Sequence, residues 1–505
     1  MPLGAQWLDT YIPDFKVNDD NINSYQTNSQ IGVDSAGNFV IVWRDVRDNP
    51  GNMNWPQIYC QILDKYGSAT NSNFKIGQDT ASRPEITVFP DGKFVVVWTR
   101  FLFLNSIQFY EIYYQRFLSN GIQNGAPDNV LDTALSISEN LFAGLTITSD
   151  STGNFVISWC LKPNINSQPF IYFQRYDSSG SRIDSIQVVN EDFGYAQYPT
   201  IASNKDGSFA VVWQDDRYPS QSAYDIYMQR YNSTGIKLGN NIKINDDNTL
   251  QLFRGGAKVS TNGYGQTVIT WLDPRVCGYG EVFYQLYAPN GNPIGVNRKA
   301  NNSPCGDNVN SPVVSMRSDR FFYIGWSEWF YSGREQFYGR RFDSAGNPIG
   351  NSYMIPSASL PPTTQRSNSV FLLKDKVYST WSYNLNSGVN VDIYCNVRGF
   401  QNPDTVIGIT NQTVIADEFE LFPPFPNPFN PATNIKYQIS KNNTSVKITI
   451  YDIKGSQAAI LIDGIQNKGT YSIEWNAANF SSGIYFIEMK AENGFKQIQK
   501  IILIK

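Results

Sequence analysis

Short apolar runs ending in tryptophan punctuate most of the chain, and around them apolar and polar positions alternate with the period of a half-buried strand. DSAGNFVIVW (34–43), FPDGKFVVVW (89–98), SDSTGNFVISW (149–159) and NKDGSFAVVW (204–213) each set a glycine-bearing turn before the run. TNGYGQTVITW (261–271) keeps its glycines, whereas SDRFFYIGW (318–326) and KDKVYSTW (374–381) have lost them. The tryptophans are Trp43, Trp98, Trp159, Trp213, Trp271, Trp326 and Trp381, spaced by 55, 61, 54, 58, 55 and 55 residues. A fixed period of this size is the mark of one structural unit repeated. A second signature follows each tryptophan: IYCQ (58–61), IYYQRF (112–117), IYFQRYDSSG (171–180), IYMQRYNSTG (226–235), VFYQLYAPNG (282–291), FYGRRFDSAG (337–346) and IYCNVRGF (393–400).

Each unit therefore reads as a strand, a tight turn, the Trp strand, a longer loop, the Tyr-Gln strand, a glycine turn and a short outer strand. Four antiparallel strands per unit, seven times over, predict an all-β chain whose residues 1–402 form a seven-bladed β-propeller. The first strands are rich in small residues, as in TIAS (200–203), AKVS (257–260) and VVS (313–315), which suits convergence on an axis. The seven indoles, one strand further out, are expected to fill the wedges between blades, each worth roughly 2–3 kcal/mol of buried area. FKVNDDN (15–21) nearly duplicates IKINDDN (242–248), the outer strand of the fourth unit, yet precedes the first. This predicts that a strand at about 11–18 completes the seventh blade. VIGIT (406–410) competes for that slot.

The chain has 505 residues, 41% hydrophobic and 17% charged, with 30 Tyr, 31 Phe and 11 Trp. A net charge of −4 without a Lys/Arg run argues against nucleic acid as a partner. The sequence contains no histidine, which excludes His-based nucleophile activation and His-ligated zinc. No stretch is long and apolar enough for a transmembrane helix, and MPLGAQWLDTYIPDF lacks a basic start and an apolar secretory run. Five cysteines lie without a CxxC motif, and the odd number leaves at least one thiol free. Cys277 and Cys305, in successive loops of the fifth unit, are candidates for a disulfide, whereas Cys60 and Cys395 occupy equivalent Tyr-Gln strand positions that predict burial.

Three units share W-x-D-x-R, namely Trp43/Asp45/Arg47, Trp213/Asp215/Arg217 and Trp271/Asp273/Arg275. Residues two apart on a strand face one side, so each Asp and Arg are placed to pair as a brace within the blade. The sharper alternative is a ring of Asp45, Arg47, Asp215, Arg217, Asp273 and Arg275 gripping a polar ligand such as a glycan. The acidic exits NDDN (18–21), NED (190–192) and NDDN (245–248) offer oxygens for calcium, but they lack the spacing of a calcium loop, and Asx turns account for them without metal. No other cofactor is implied, and no catalytic residue can be assigned.

Beyond Phe400 the repeat stops. Residues 403–418 read as a linker, and 419–505 as a small β-sandwich of alternating strands. Its entry, FPNPFNPATNIKYQI (425–439), concentrates prolines that withhold ladder donors and fix φ, so the segment can lie stiffly along a sheet edge. Pro426, Asn427, Pro428, Phe429, Asn430 and Pro431, then YDIKG (451–455), GTYSIEWN (469–476), SSGIYFIEM (481–489, with Gly483 and Tyr485) and a basic tail ending at Lys505 stand in order. Together they resemble the type A C-terminal sorting domain of the type IX secretion system, itself similar to the Ig-like fold of hook-capping proteins. The resemblance implies recognition by the type IX machinery and export to the outside or outer surface of a bacterium. The leading expectation is a non-catalytic propeller that binds a glycan or protein, or scaffolds. The alternatives are a self-assembling extracellular filament or surface-layer subunit, homo-oligomeric through docking of its C-terminal domain on a neighbour, and a carbohydrate-active enzyme.

Overall fold

The computed structural model describes residues 9–399 and 419–504, apart from 21, 23, 51, 54, 78–79, 105–106, 132–141, 163–166, 192–193, 218–223, 248–251, 277, 279, 304–307, 331–333, 357–364, 387–389, 423, 425–426 and 492–494. Cys277, Cys305, Pro426, Lys505, the 403–418 segment and VIGIT lie outside the described residues. Among the described ones, every regular element is a strand. The chain divides into two compact units, Met1–Gln401 and Asn402–Lys505.

The first unit holds seven four-stranded antiparallel sheets among its described residues. In the first sheet, Gln26–Val33, Phe39–Asp45, Gln57–Leu63 and Phe74–Ile76 lie side by side in chain order. The next five repeat this order, with first strands Ala81–Val88, Phe142–Ser149, Ala196–Ser203, Gly255–Thr261 and Asn308–Met316. The seventh sheet begins at Gln365–Leu373 and takes its outermost strand, Asp9–Lys16, from the other end of the sequence, paired with Asn390–Gly399. Each first strand packs beside the first strand of the following sheet, and Gln365–Leu373 packs beside Gln26–Val33.

The tryptophans explain why neighbouring sheets cohere. All seven indoles are buried, and each lies in an apolar cluster shared with the preceding sheet. Trp98 packs with Val40, Ile58 and Cys60 of the first sheet, Trp213 with Cys160 and Phe173 of the third, and Trp43 with Ile393 and Val397 of the seventh. The glutamine of the Tyr-Gln signature serves the outer strand: Gln229 donates to the carbonyls of Arg230 and Gly239, and accepts from Asn241 Nδ2 at 2.6 Å. Gln61, Gln115, Gln174 and Gln285 donate to carbonyls in the same way. One buried amide thus pins the backbone where the outer strand turns back.

The second unit is a pair of antiparallel sheets around one core. A three-stranded sheet (Glu420–Leu421, Ala432–Ile439, Gly469–Asn476) contributes Ile435, Tyr437 and Trp475. A four-stranded sheet ordered Gln457–Gln466, Thr444–Asp452, Gly483–Ala491, Lys496–Leu503 contributes Val446, Ile448, Ile487 and Leu503.

Candidate functional site

The W-x-D-x-R residues form closed braces at the end of each sheet where the first strand begins. Asp45 is fully buried and accepts from the Trp43 indole at 2.8 Å, from Arg47 Nε at 2.8 Å and from the Arg47 amide at 2.8 Å. Asp215 and Asp273 are held alike, with indole distances of 3.0 Å each and Arg Nε distances of 3.2 and 2.9 Å. Burial lifts the carboxyls of Asp45 and Asp215 above the ordinary aspartate range, against the pull of their arginine and indole partners. The arginines lie over aromatic faces, Arg47 at 4.1 Å from the Tyr59 ring centre and Arg217 at 3.7 Å from that of Tyr227.

The acidic exits complete these braces. Arg47 reaches Asp19 at 2.8 Å and Asp20 at 3.3 Å, and Arg275 reaches Asp246 at 2.6 Å and Asp247 at 3.4 Å. Asp19 and Asp20 follow the outer strand of the seventh sheet, and Asp246 and Asp247 that of the fourth, so each clasp ties one sheet to the next. Guanidinium groups thus engage the aspartates of the two NDDN exits, and Lys237 pairs with Glu191 of NED at 2.7 Å. Among the described residues, no group of three His, Cys, Asp or Glu is arranged to hold a metal. Sequence reasoning missed Arg254, which is buried and paired with Asp225, Asp247 and Asp273. It also missed Glu328, which takes the Trp326 indole at 2.7 Å in place of aspartate.

Inside this collar the first strands share one irregularity. In all seven the pairing register with the Trp strand slips near the start, as between Thr27 and Gln30, Ser82 and Glu85, or Gln197 and Thr200. At the slip φ is positive at Asn28 (57°), Arg83 (53°), Tyr198 (53°) and Ser311 (50°), and at Gly144 and Gly256. Side chains with a Cβ rarely adopt that conformation, and bulges that hold it re-aim side chains. Asn28, Arg83, Tyr198 and Ser311 are exposed there. Successive bulges also touch: a Cβ added at Gly144 would come within 2.9 Å of Tyr198 Cα.

One step deeper stand Gln30, Glu85, Thr146, Thr200, Lys258, Val313 and Ser369, each opposite the residue before the tryptophan of its sheet. Glu85 and Lys258 are the two charged members of this level, on the second and fifth sheets. Glu85 accepts from Gln30 Nε2 at 3.0 Å. Burial raises its carboxyl to about 7, with the Lys258 ammonium pulling the other way from across the set of first strands. No direct ion pair joins the two. A charged residue in strands otherwise built of small side chains was the available signal, and AKVS carried it.

In the second unit the proline stretch covers the free edge of the last strand. The Phe429 amide donates to Ile502 O at 2.9 Å and its carbonyl accepts from the Ile504 amide at 3.0 Å. Asn427 donates to Lys500 O and accepts from the Ile502 amide, both at 2.9 Å. The Phe429 ring is buried 5.4 Å from Trp475. Tyr485 packs on the same indole at 5.4 Å, and Gly483 opens its strand. The match to known families falls here: the model of the secretion system C-terminal sorting domain covers residues 424–505. Residues 424–505 are a sorting domain. The sorting domain marks the protein for export by the type IX machinery to the extracellular space or the outer surface of a bacterium. Among the described residues, no helix is long and apolar enough to cross a membrane.

No curated protein matches the chain. Solved structures similar to it include a protein of unknown function from Dyadobacter fermentans (11% identity, TM-score 0.47, 77% of this chain and 99% of that one). Others are an α-L-arabinanase from Penicillium chrysogenum (14%, 0.45, 63% and 93%) and the polysaccharide lyase Uly1 (11%, 0.47, 78% and 94%). Likeness at this level leaves substrate and reaction open.

Proposed function

We propose that the first unit is a closed seven-bladed β-propeller, sealed by the strand Asp9–Lys16, and that the exported protein engages a glycan at the axial mouth formed by its first strands. Support for the ring comes from the succession of packed first strands and from the indole cluster that joins the seventh sheet to the first. The sorting domain, read as an Ig-like sandwich, supplies the route outside the cell. The observation that carries the functional reading is the shared bulge. Its backbone geometry repeats while its side chains, Asn28, Arg83, Tyr198 and Ser311, change from sheet to sheet. The Trp-Asp braces and Tyr-Gln pins repeat in chemistry as well as geometry because they hold the fold, whereas a position that keeps its place and varies its chemistry serves recognition. An aromatic face, an amide, a hydroxyl and a guanidinium around one opening form a set suited to a polyhydroxylated ligand.

Affinity electrophoresis of the intact protein through acidic and neutral polysaccharides tests the reading. Retardation by at least one polysaccharide, lost in an Arg83→Ala/Tyr198→Ala double variant with unchanged thermal unfolding, is expected. Free migration through the whole panel overturns it. Turnover, rather than retention alone, is the second reading, favoured by Glu85, whose carboxyl titrates in the range useful to a general acid at neutral pH. Release of reducing ends or of unsaturated products, abolished by Glu85→Gln, distinguishes the two.

A further inference from the structure

We infer that the mouth selects an anionic glycan, one bearing carboxylates, and that Lys258 is the residue that reads the charge. The inference rests on the proposed glycan-binding function and names the ligand class for that same site. Among the described side chains of the seven first strands the ionisable ones are few: Arg83 and Glu85 on the second, Tyr198 on the fourth and Lys258 on the fifth. Two of these four are cations. The lone acid, Glu85, accepts from Gln30 at 3.0 Å and makes no direct ion pair with Lys258.

Lys258 has a different setting from the arginines of the braces and clasps. Arg47, Arg217, Arg254 and Arg275 all sit against a carboxylate within 3.3 Å, in contacts that hold sheets together. Lys258 is half-buried and has no carboxylate in direct contact among the described residues, Glu85 acting on it only without contact, and an ammonium in such a setting is costly to maintain. Structure alone does not require it: the same level holds Thr, Val and Ser in other sheets with the fold intact. A carboxylate from outside, entering between the bulge residues, would give the ammonium its counter-charge. Hydroxyls of the same sugar would meet Glu85 and Gln30 across the opening. The chain carries a net charge of −4, so general attraction does not bring a polyanion here, and recognition depends on these local cations.

Titration calorimetry of the intact chain with an oligogalacturonate and with a neutral cello-oligosaccharide of equal length tests this. The acidic oligosaccharide should bind at least about tenfold more tightly, and Lys258→Met should remove that advantage, the loss expected when one partner of a desolvated charge contact is deleted. Lys258→Arg should restore most of it, which a merely structural role would not predict. Equal binding of both sugars, or an advantage that survives in Lys258→Met, overturns the inference and leaves the glycan-binding reading standing. Binding of neither sugar, with the polysaccharide panel also negative, overturns both.

Discussion

Glu85→Gln is expected to make the first unit more stable at alkaline pH and to have little effect at acid pH. Burial lifts the Glu85 carboxyl from an ordinary 4.5 to about 7. The folded state therefore holds a proton that the unfolded chain releases, and stability falls as pH rises through this window. A displacement of about 2.5 pH units corresponds to roughly 3 kcal/mol, an upper figure because the half-buried carboxyl keeps some water. Glutamine preserves the acceptor for Gln30 Nε2 and is uncharged at every pH, so it imitates the protonated acid. Lys258 on the fifth first strand, Arg83 on the same strand as Glu85 and Tyr198 on the fourth are the other ionisable groups with described side chains on the first strands. Urea unfolding of both proteins, followed by tryptophan fluorescence from about pH 4 to 8.5, measures the difference. It should grow from near zero at the acid end to approach 3 kcal/mol at the alkaline end. A difference that does not vary with pH, or a Gln variant less stable at pH 8.5, would refute the assignment of a desolvated, protonatable carboxyl.

Three further outcomes follow from contacts elsewhere. Asp273→Ala removes the acceptor of one indole and two guanidinium groups, and should lower stability of the first unit by about 3–5 kcal/mol in urea unfolding, with Asp273→Asn intermediate. Removing residues 1–16 should expose the buried thiol of Cys395, paired opposite Phe15, to maleimide labelling located by peptide mass mapping; the intact protein should stay unlabelled at that site. Phe429→Ala should cost about 3 kcal/mol and abolish hydrogen-exchange protection of the Ile502 and Ile504 amides, which the proline stretch covers.

The elements legible in the sequence were those that burial forces to repeat. Every indole sits in a wedge between sheets, so a tryptophan at each period was visible, and the duplicated FKVNDDN revealed a strand that pairs with a segment nearly four hundred residues away. The proline stretch was readable because prolines withhold donors, and the structure shows what remains: Asn427 and Phe429 supply the hydrogen bonds between them. The bulges were hidden for a physical reason. A positive φ normally announces itself through glycine, yet Asn28, Arg83, Tyr198 and Ser311 adopt it without one, three of them immediately before a proline. The electrostatic influence of Lys258 on Glu85 depends on how the first strands are arranged in space, and no spacing along the chain encodes it.

The repeats also act as an internal control on the role of the braces. In the third and seventh sheets the brace position holds Leu161 and Tyr383, and the indole nitrogens of Trp159 and Trp381 have no hydrogen-bond partner among the described residues. Those two sheets nevertheless have four strands and buried tryptophans. A carboxylate at that position is therefore not required for a sheet to form. Where it occurs, Asp45 and Asp273 bind arginines that reach acidic exits of the preceding sheet, so its effect is to fix one sheet against the next at the end where the bulges open. Asp45 and Asp273 thus act as the brace within and between sheets that their spacing along the strand suggested, holding the ends of neighbouring first strands in register behind the bulge residues.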